Sequence, residues 1–342
     1  MMNDDNPLVS IVIIAHNEHR NIARALKSLE QQSFNRIEIV VIDDGSTDDT
    51  ASIVKRHASA DSRIKLHRLE SNYGMQLARI IGTQRASCHL VAFLDADDTL
   101  AKGAIQALYD THIATNADIV EMASCHSIAR LPIGFDMHIP SAHLKKSIYS
   151  RDEMIDLLLS GHISANVWTK LYRKQVIENA QLQPSGITLG EDLLFNLNVM
   201  QHASSIAWTD YRGANYNSGD ANLSRLYKWH EQKILCSCLL NMPMIANSDK
   251  RKSIVAQNMV EDFTENIALQ LYNPFSSRRK IEQWINHELS LDFWNGIRLL
   301  LDNEHFNIIS NSSLAKDAAK QKLRQNRKIY TIFQILNLLS RL

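Results

Sequence analysis

The stretch "VSIVIIAHNEHRNIARALKSLEQQSFNRIEIVVIDDGSTDDT", Val9 to Thr50, decides the fold of this 342-residue chain. It holds two β-branched apolar runs, "VSIVIIA" and "IEIVVID", separated by a segment in which Ile22, Leu26 and Leu29 recur at helical spacing. Apolar runs of that length fit strands buried on both faces. A helix between two such strands fits a parallel arrangement, since parallel strands need a long crossover connection.

The pattern repeats outward. "GSTDDTASIVKRHA" opens with cap-type residues and turns Ile53 and Val54 inward, and the further runs "IKLHRL", "HLVAFLD" and "ADIVEM" extend to about Met122. Alternating strands and helices predict an α/β, Rossmann-like fold: a mainly parallel sheet with helices on both faces. Ligands of such sheets bind at the carboxyl ends of the strands. Three runs deliver polar clusters to that edge: "AHNE" (15–18), "DDGSTDD" (43–49) and "DADD" (95–98). Clustered carboxylates repel one another unless a cation or a hydrogen-bonding ligand sits among them. For "DADD" alone two chemistries stay open. Asp95 is placed like the nucleophile of a haloacid-dehalogenase-type phosphatase, and the cluster equally suits a Mg²⁺ or Mn²⁺ site for a nucleotide diphosphate, since both need hard oxygen ligands.

Lys plus Arg and Asp plus Glu both total 37, so the formal net charge is zero and gives no support for nucleic-acid binding. Cys88, Cys125, Cys236 and Cys238 form no C-x-x-C pair, and the 14 His show no zinc-finger spacing. That points to buried thiols in a reducing compartment. "MMNDDNPLVS" lacks the regions of a secretory signal, and no apolar run reaches the 18 or so residues that span a bilayer, so a cytoplasmic protein is expected.

After about residue 125 the alternation weakens. "SRDEMIDLLLSG" reads as a capped helix, "ANVWTKLYRKQVI" runs into another element, and "PSGITLGEDLLFNLNVMQHA" is a turn and then a helix beginning with Glu191 and Asp192. From about Leu226 the sequence reads as helical. Its tail has six basic residues between Lys316 and Lys328 against the single acid Asp317, then an apolar stripe of Ile329, Ile332, Phe333, Leu336 and Leu339. Such a helix packs on its own domain, on a second subunit as a homodimer, or on the inner membrane surface.

With these segments in view, residues 8 to 200 resemble glycosyltransferase family 2, enzymes of GT-A fold that use nucleotide-diphosphate sugars. The ordered set is "VSIVIIAHNEHRNIARALKSLEQQSF", "IEIVVIDDGSTDDT", "NYGMQLARIIGTQRA", "LVAFLDADD", "WTKLYRK" and "GEDLLF". The resemblance implies a GT-A domain with a nucleotide-sugar half (1–125) and an acceptor half (126–225), then a helical extension (226–342). It implies that Asp44 holds the base of the nucleotide with Asp43 supporting the turn, and that Arg79, after the Asn72-x-Gly74 turn, lies near the nucleotide. A guanidinium there pairs with phosphate or a carboxylate in two-pronged fashion; an ion pair with Asp44 or Asp97 is the alternative. Asp97 and Asp98 match the carboxylates beside the ribose and the metal, Mg²⁺ or Mn²⁺, and Asp95 completes the donor cluster. Asp192 matches the catalytic base of the inverting members, which must take the acceptor's proton from the face opposite the leaving diphosphate.

The implied activity is transfer from a UDP-sugar to a saccharide or lipid-linked saccharide in surface-polysaccharide assembly. Ile14, Ile80 and Cys88-His89 depart from the family pattern, and Arg212, Ser224 and Arg225 are candidates for a segment that closes over the diphosphate. Two rivals fit less well. The phosphatase reading recruits Lys170 with Glu191 and Asp192, but it leaves "AHNE" and "DDGSTDD" idle. A scaffold without turnover would be marked by loss of Asp192 or of the Asp97-Asp98 pair, and both are present.

Overall fold

The structure, a computed structural model, describes residues 6–127, 144, 146–188, 190–217, 229–255 and 258. The chain divides into two compact units, Met1–Leu226 and Tyr227–Leu342.

The first unit starts with the expected alternation: β1 (Val9–Ala15), α1 (Ile22–Glu30), β2 (Ile37–Asp43), α2 (Thr50–Ala60), β3 (Ile64–Arg68), α3 (Met75–Arg85) and β4 (Leu90–Asp95). These four strands are parallel, in the order β3-β2-β1-β4. Every residue of β1 and β2 is buried, and the two faces have different partners. Val9, Ile11 and Ile13 with Ile37, Ile39 and Val41 share a core with Ile22, Leu26 and Leu29 of α1 and Val54 of α2. Val12 and Ile42 face α3, which approaches so closely that a Cβ on Gly82 would lie 2.3 Å from Val12 Cγ1. Each such side chain, taken fully out of water, contributes about 1.5–3 kcal/mol. The edge strand β3 has only Ile64 buried, unlike its neighbours.

The second part of the sheet departs from a simple parallel array. After the short β5 (Thr99–Leu100) and α4 (Ala104–Thr115), β6 (Ile119–Ser127) does not pair with β4. The strand β8 (Lys170–Arg173) inserts between them and runs antiparallel to both. Beyond β6 the sheet continues with β9 (Ser205–Asn217), parallel to β6 and antiparallel to β5 and to β7 (Ile148–Ser150). The predicted capped helix is α5 (Arg151–Leu159); the Glu153 carboxylate accepts the Ser150 N–H at 2.9 Å. Further helices are α6 (Lys174–Asn179) and α7 (Glu191–Met200), the latter starting at the acidic pair as expected.

In the second unit the described helices are α8 (Trp229–Asn241) and α9 (Pro243–Ala246). The basic and apolar tail, like Ser224 and Arg225, lies outside the described residues. Among the described residues no helix is long and apolar enough to cross a membrane. Cys88 and Cys238 are free thiols, the first buried and the second half-buried.

Candidate active site

The parallel registers bring the polar clusters to one edge. Ala15 stands opposite Asp43, Ile14 opposite Asp95, and Asp43 opposite Arg68. The loops leaving β1 and β2 are bonded to each other. Asp44 N–H donates to the Ala15 carbonyl, and the Asn17 N–H donates to Ser46 Oγ at 2.9 Å. Asn17 Oδ1 accepts the Thr47 N–H, also at 2.9 Å. Asp43 accepts the Ser46 N–H at 3.0 Å and pairs with Arg68 at 3.3 Å, which closes the turn. Gly45, at φ +68°, is required twice over: the left-handed backbone disfavours a side chain, and a Cβ would meet the Ser71 backbone at 2.4 Å.

That close approach positions the 72–74 turn. Asp44 accepts the Tyr73 N–H (2.8 Å) and the Gly74 N–H (2.9 Å), while Asn72 Oδ1 also accepts from Gly74 at 2.9 Å. Asp44 and Asn72 thus share one turn at the strand edge. Much of the negative charge here is satisfied by backbone N–H groups, so this part of the acidic edge needs no cation to hold together.

The "DADD" cluster differs. Asp95 ends β4, and the Asp98 N–H donates to its carbonyl at 3.0 Å, folding Asp97 and Asp98 back over the edge. Arg24 reaches from α1 to the Asp97 carbonyl at 2.7 Å. Burial pushes the Asp95 carboxyl well above its usual range; the charges of Asp192, Asp98 and Asp97 push the same way, against Arg79. Burial also raises Asp97. Among the described residues no three His, Cys, Asp or Glu side chains converge as a ready-made metal cage. The donor set still fits a hard cation of the Mg²⁺ kind, which is held by one or two carboxylates and completes its shell with water and substrate phosphate oxygens.

Arg79 pairs with carboxylates, as the sequence allows, but with acids other than the two named there. It is 1% exposed, and its ion pairs are with Asp192 Oδ1 (3.0 Å) and Glu191 Oε1 (3.5 Å), not with Asp44 or Asp97. The physical reason is that α3 lies against the sheet, with Gly82 close to Val12 and Ile42, and Arg79 on its buried side meets the first turn of α7. Phe93 and Phe195 lie 5.8 and 5.4 Å from the guanidinium carbon. The Asp192 side chain is 23% exposed, and its Oδ2 accepts the Val167 N–H at 3.3 Å. Glu191 is buried; burial, with the neighbouring Asp192 charge and against the pull of Arg79, raises its carboxyl to about 7.

One pairing escapes sequence reasoning, which names Lys170 only within the phosphatase reading and Glu121 not at all. Lys170 and Glu121 are fully buried and face each other at 3.4 Å across β8 and β6. Lys170 Nζ also donates to the carbonyls of Ser164 (2.5 Å) and Asn166 (2.8 Å). Burial lowers Lys170 and raises Glu121, each opposed by the other's charge. A buried ammonium committed to these acceptors is not available to a phosphoryl group, which removes the Lys170 part of the phosphatase reading. Only the strand pairing of "WTKLYRK" with "ADIVEM" would have revealed the pair. Arg212 stands in β9 beside Ala123 of β6, within the sheet.

Comparison with known proteins agrees with this architecture. The sequence model of Glycosyl transferase family 2 matches residues 10–130. The glycosyltransferase GlyA of Streptococcus pneumoniae serotype 4 is 27% identical over 236 residues, 67% of this chain but 33% of GlyA. The GalNAc(5)-diNAcBac-PP-undecaprenol beta-1,3-glucosyltransferase of Campylobacter jejuni is 38% identical over 104 residues, 30% of this chain and 33% of that enzyme. The chain therefore aligns with about a third of the length of either relative. Among solved structures, Staphylococcus aureus TarS 1–349 in complex with UDP-GlcNAc superposes with a TM-score of 0.63 at 20% identity, covering 85% of this chain and 81% of TarS 1–349. With its ordered motifs, parallel β3-β2-β1-β4 core and acidic strand edge, the chain matches glycosyltransferase family 2 over residues 10–130 and has the GT-A fold.

Proposed function

We propose that the protein is an inverting glycosyltransferase that moves a sugar from a nucleotide-diphosphate donor, a UDP-sugar, to a hydroxyl of a saccharide or lipid-linked saccharide in surface-polysaccharide assembly. The observation that carries the reading is the pairing of Asp192 with Arg79, because it leaves a carboxylate, partly open to solvent, whose charge also acts on Asp95 at the end of β4.

In this reading residues 1–125 hold the donor and residues 126–225 the acceptor. The Asp44 and Asn72 turn receives the base, and Asp95 and Asp97 face the ribose and the diphosphate. Asp192 takes the proton of the acceptor hydroxyl as its oxygen bonds to the anomeric carbon; the bond from that carbon to the diphosphate oxygen breaks, and the nucleoside diphosphate leaves on the opposite side. A positioned base of this kind contributes about 10²–10⁴-fold. A Mg²⁺ or Mn²⁺ ion held by Asp97 and Asp98 would supply neutralisation of the charge that develops on the leaving diphosphate. TarS, whose complex holds UDP-GlcNAc, supports a UDP-sugar donor, and the undecaprenol-linked substrate in the Campylobacter enzyme's name supports a lipid-linked acceptor. A lipid-linked acceptor would bring the enzyme to the inner membrane surface, where the basic and apolar tail has a use.

The test is a donor screen: nucleotide sugars are supplied one at a time with Mn²⁺, and diphosphate release is read with and without EDTA. One donor turned over with Mn²⁺, silent in EDTA and silent with Asp192→Asn, is the expected result. Release that persists at full rate with Asp192→Asn would refute the base assignment.

A further inference from the structure

Arg79 is spent on the protein side of the site. Of its guanidinium nitrogens, Nη2 faces Asp192 and Glu191, while Nε and Nη1 are buried with no hydrogen-bond partner among the described residues. The rings of Phe93 and Phe195, themselves in edge contact at 5.4 Å, lie against the guanidinium. A residue that grips a diphosphate must offer N–H groups at an open surface, and Arg79 offers none.

Asp192 is also anchored from a second direction. The Val167 N–H donates to its Oδ2, and the segment that carries Val167 is fixed in turn. Lys170 binds the carbonyls of Ser164 and Asn166, Glu121 accepts the Ser164 N–H at 2.9 Å, and Asn196 Nδ2 donates to the Ala165 carbonyl at 2.6 Å. Asn196 Oδ1 itself accepts the Tyr172 hydroxyl at 2.8 Å. One carboxylate thus has a charged anchor on α3 and a backbone anchor on a segment that buried polar groups hold in place. Such supporting contacts set the geometry of a catalytic group.

We propose that Arg79 is a positioning residue: it fixes the Asp192 carboxylate toward the acceptor hydroxyl and does not touch the donor diphosphate. This rests on the reading of Asp192 as the base. Lys is a poor substitute, because its compact ammonium on a flexible stem cannot lie flat against the two rings while reaching the carboxylates.

The experiment combines calorimetry with kinetics on the full chain, for Arg79→Lys, Arg79→Gln, Asp192→Asn and the double variant Arg79→Gln/Asp192→Asn. Calorimetry uses UDP, GDP and dTDP with Mn²⁺, and the kinetics use the donor from the screen. If Arg79 positions the base, both Arg79 variants bind the nucleotide within about twofold of wild type. They keep donor KM within a few-fold and lose kcat by about a hundredfold, the cost of a misplaced reacting group. Because Arg79 would act through Asp192, adding Arg79→Gln to Asp192→Asn lowers kcat no further. If Arg79→Gln does not fold, Arg79→Lys and Arg79→Lys/Asp192→Asn carry the same readouts, with retained nucleotide binding as the check on folding. A tenfold or greater loss of nucleotide affinity would overturn the proposal, and so would an additive loss of kcat in the double variant. Near-normal transfer by Asp192→Asn alone is a different failure, that of the base reading itself.

Discussion

Replacing Glu191 by Gln should stabilise the protein at pH 8, although it removes a carboxylate facing an arginine. Arg79 lies 3.0 Å from Asp192 and 3.5 Å from Glu191, so one cation is shared between two adjacent acids. Burial and the Asp192 charge outweigh that share and raise Glu191 from 4.5 to about 7. In the unfolded chain the group releases its proton near 4.5; in the folded chain it keeps it to about 7. Between those values the folded state binds more protons, and stability falls as pH rises; below 4.5 and above 7 this contribution is flat. The gap of roughly 2.5 pH units, at 1.36 kcal/mol each, amounts to about 3 kcal/mol lost on going from pH 4.5 to pH 8. Gln cannot ionise and escapes the loss, though it gives up part of the attraction to Arg79. The variant should match wild type near pH 5 and exceed it by about 2–3 kcal/mol at pH 8. Urea titrations followed by the fluorescence of Trp168, which is buried in the first unit, measure the difference at each pH. A variant less stable than wild type at pH 8, or a difference that does not change with pH, refutes the reasoning and places an ionised Glu191 in a net favourable pair with Arg79.

Three other outcomes follow from the same physical reading. Gly82→Ala should lower stability by about 1–2 kcal/mol, because overpacking against Val12 at 2.3 Å exceeds the 0.5–1 kcal/mol gained in helix propensity; a raised melting temperature would show that α3 moves away freely. Glu38 is opposed by burial, yet the Lys65 ammonium, the Ser10 hydroxyl and the Ser87 amide hold it down at about 2. Its contribution is present above 4.5 and lost as pH falls toward 2, so wild type but not Glu38→Gln should lose about 2 kcal/mol over that window in acid titration, a value discounted for the half-exposed Lys65. Asp44→Ala frees the Tyr73 and Gly74 N–H groups and should weaken UDP binding at least tenfold by calorimetry; unchanged affinity would move the base-binding role elsewhere.

The N-terminal architecture was legible because β1 and β2 are buried on both faces. Strands of that kind need unbroken apolar runs, and few other segments of the chain carry them. The polar clusters were legible for a related reason: parallel strands joined by helices all end at one edge, so "AHNE", "DDGSTDD" and "DADD" had to meet. The insertion of β8 was not legible. Lys170–Arg173 is four residues long, too short for periodicity to speak, and its place depends on antiparallel partners fifty and eighty residues away. Lys170 is buried here because Glu121, also fully buried, lies opposite it in the ladder at 3.4 Å.

The site shows the same limit more sharply in Arg79. The sequence places a guanidinium one helical turn past a glycine turn at the nucleotide edge, and charge alone makes that residue a phosphate ligand or a partner of the nearest acids. Which acids it meets depends on how α3 packs on the sheet. Gly82 comes close to Val12 and Ile42 there, a packing detail with no charge in it. With α3 drawn down onto the sheet, Arg79 is buried and its reach ends at Glu191 and Asp192 on α7, more than a hundred residues away in the chain. A buried guanidinium is tolerable only with carboxylates beside it, and α7 supplies both in its first turn, where acids are favoured by the helix dipole in any case. The result is an uneven division of one positive charge. Glu191 keeps its proton to about 7, and Asp192 lies closer to the cation with part of its side chain toward solvent. Of two adjacent carboxyl groups, burial draws one toward the neutral acid and leaves the other at the solvent side, where a general base would have to stand.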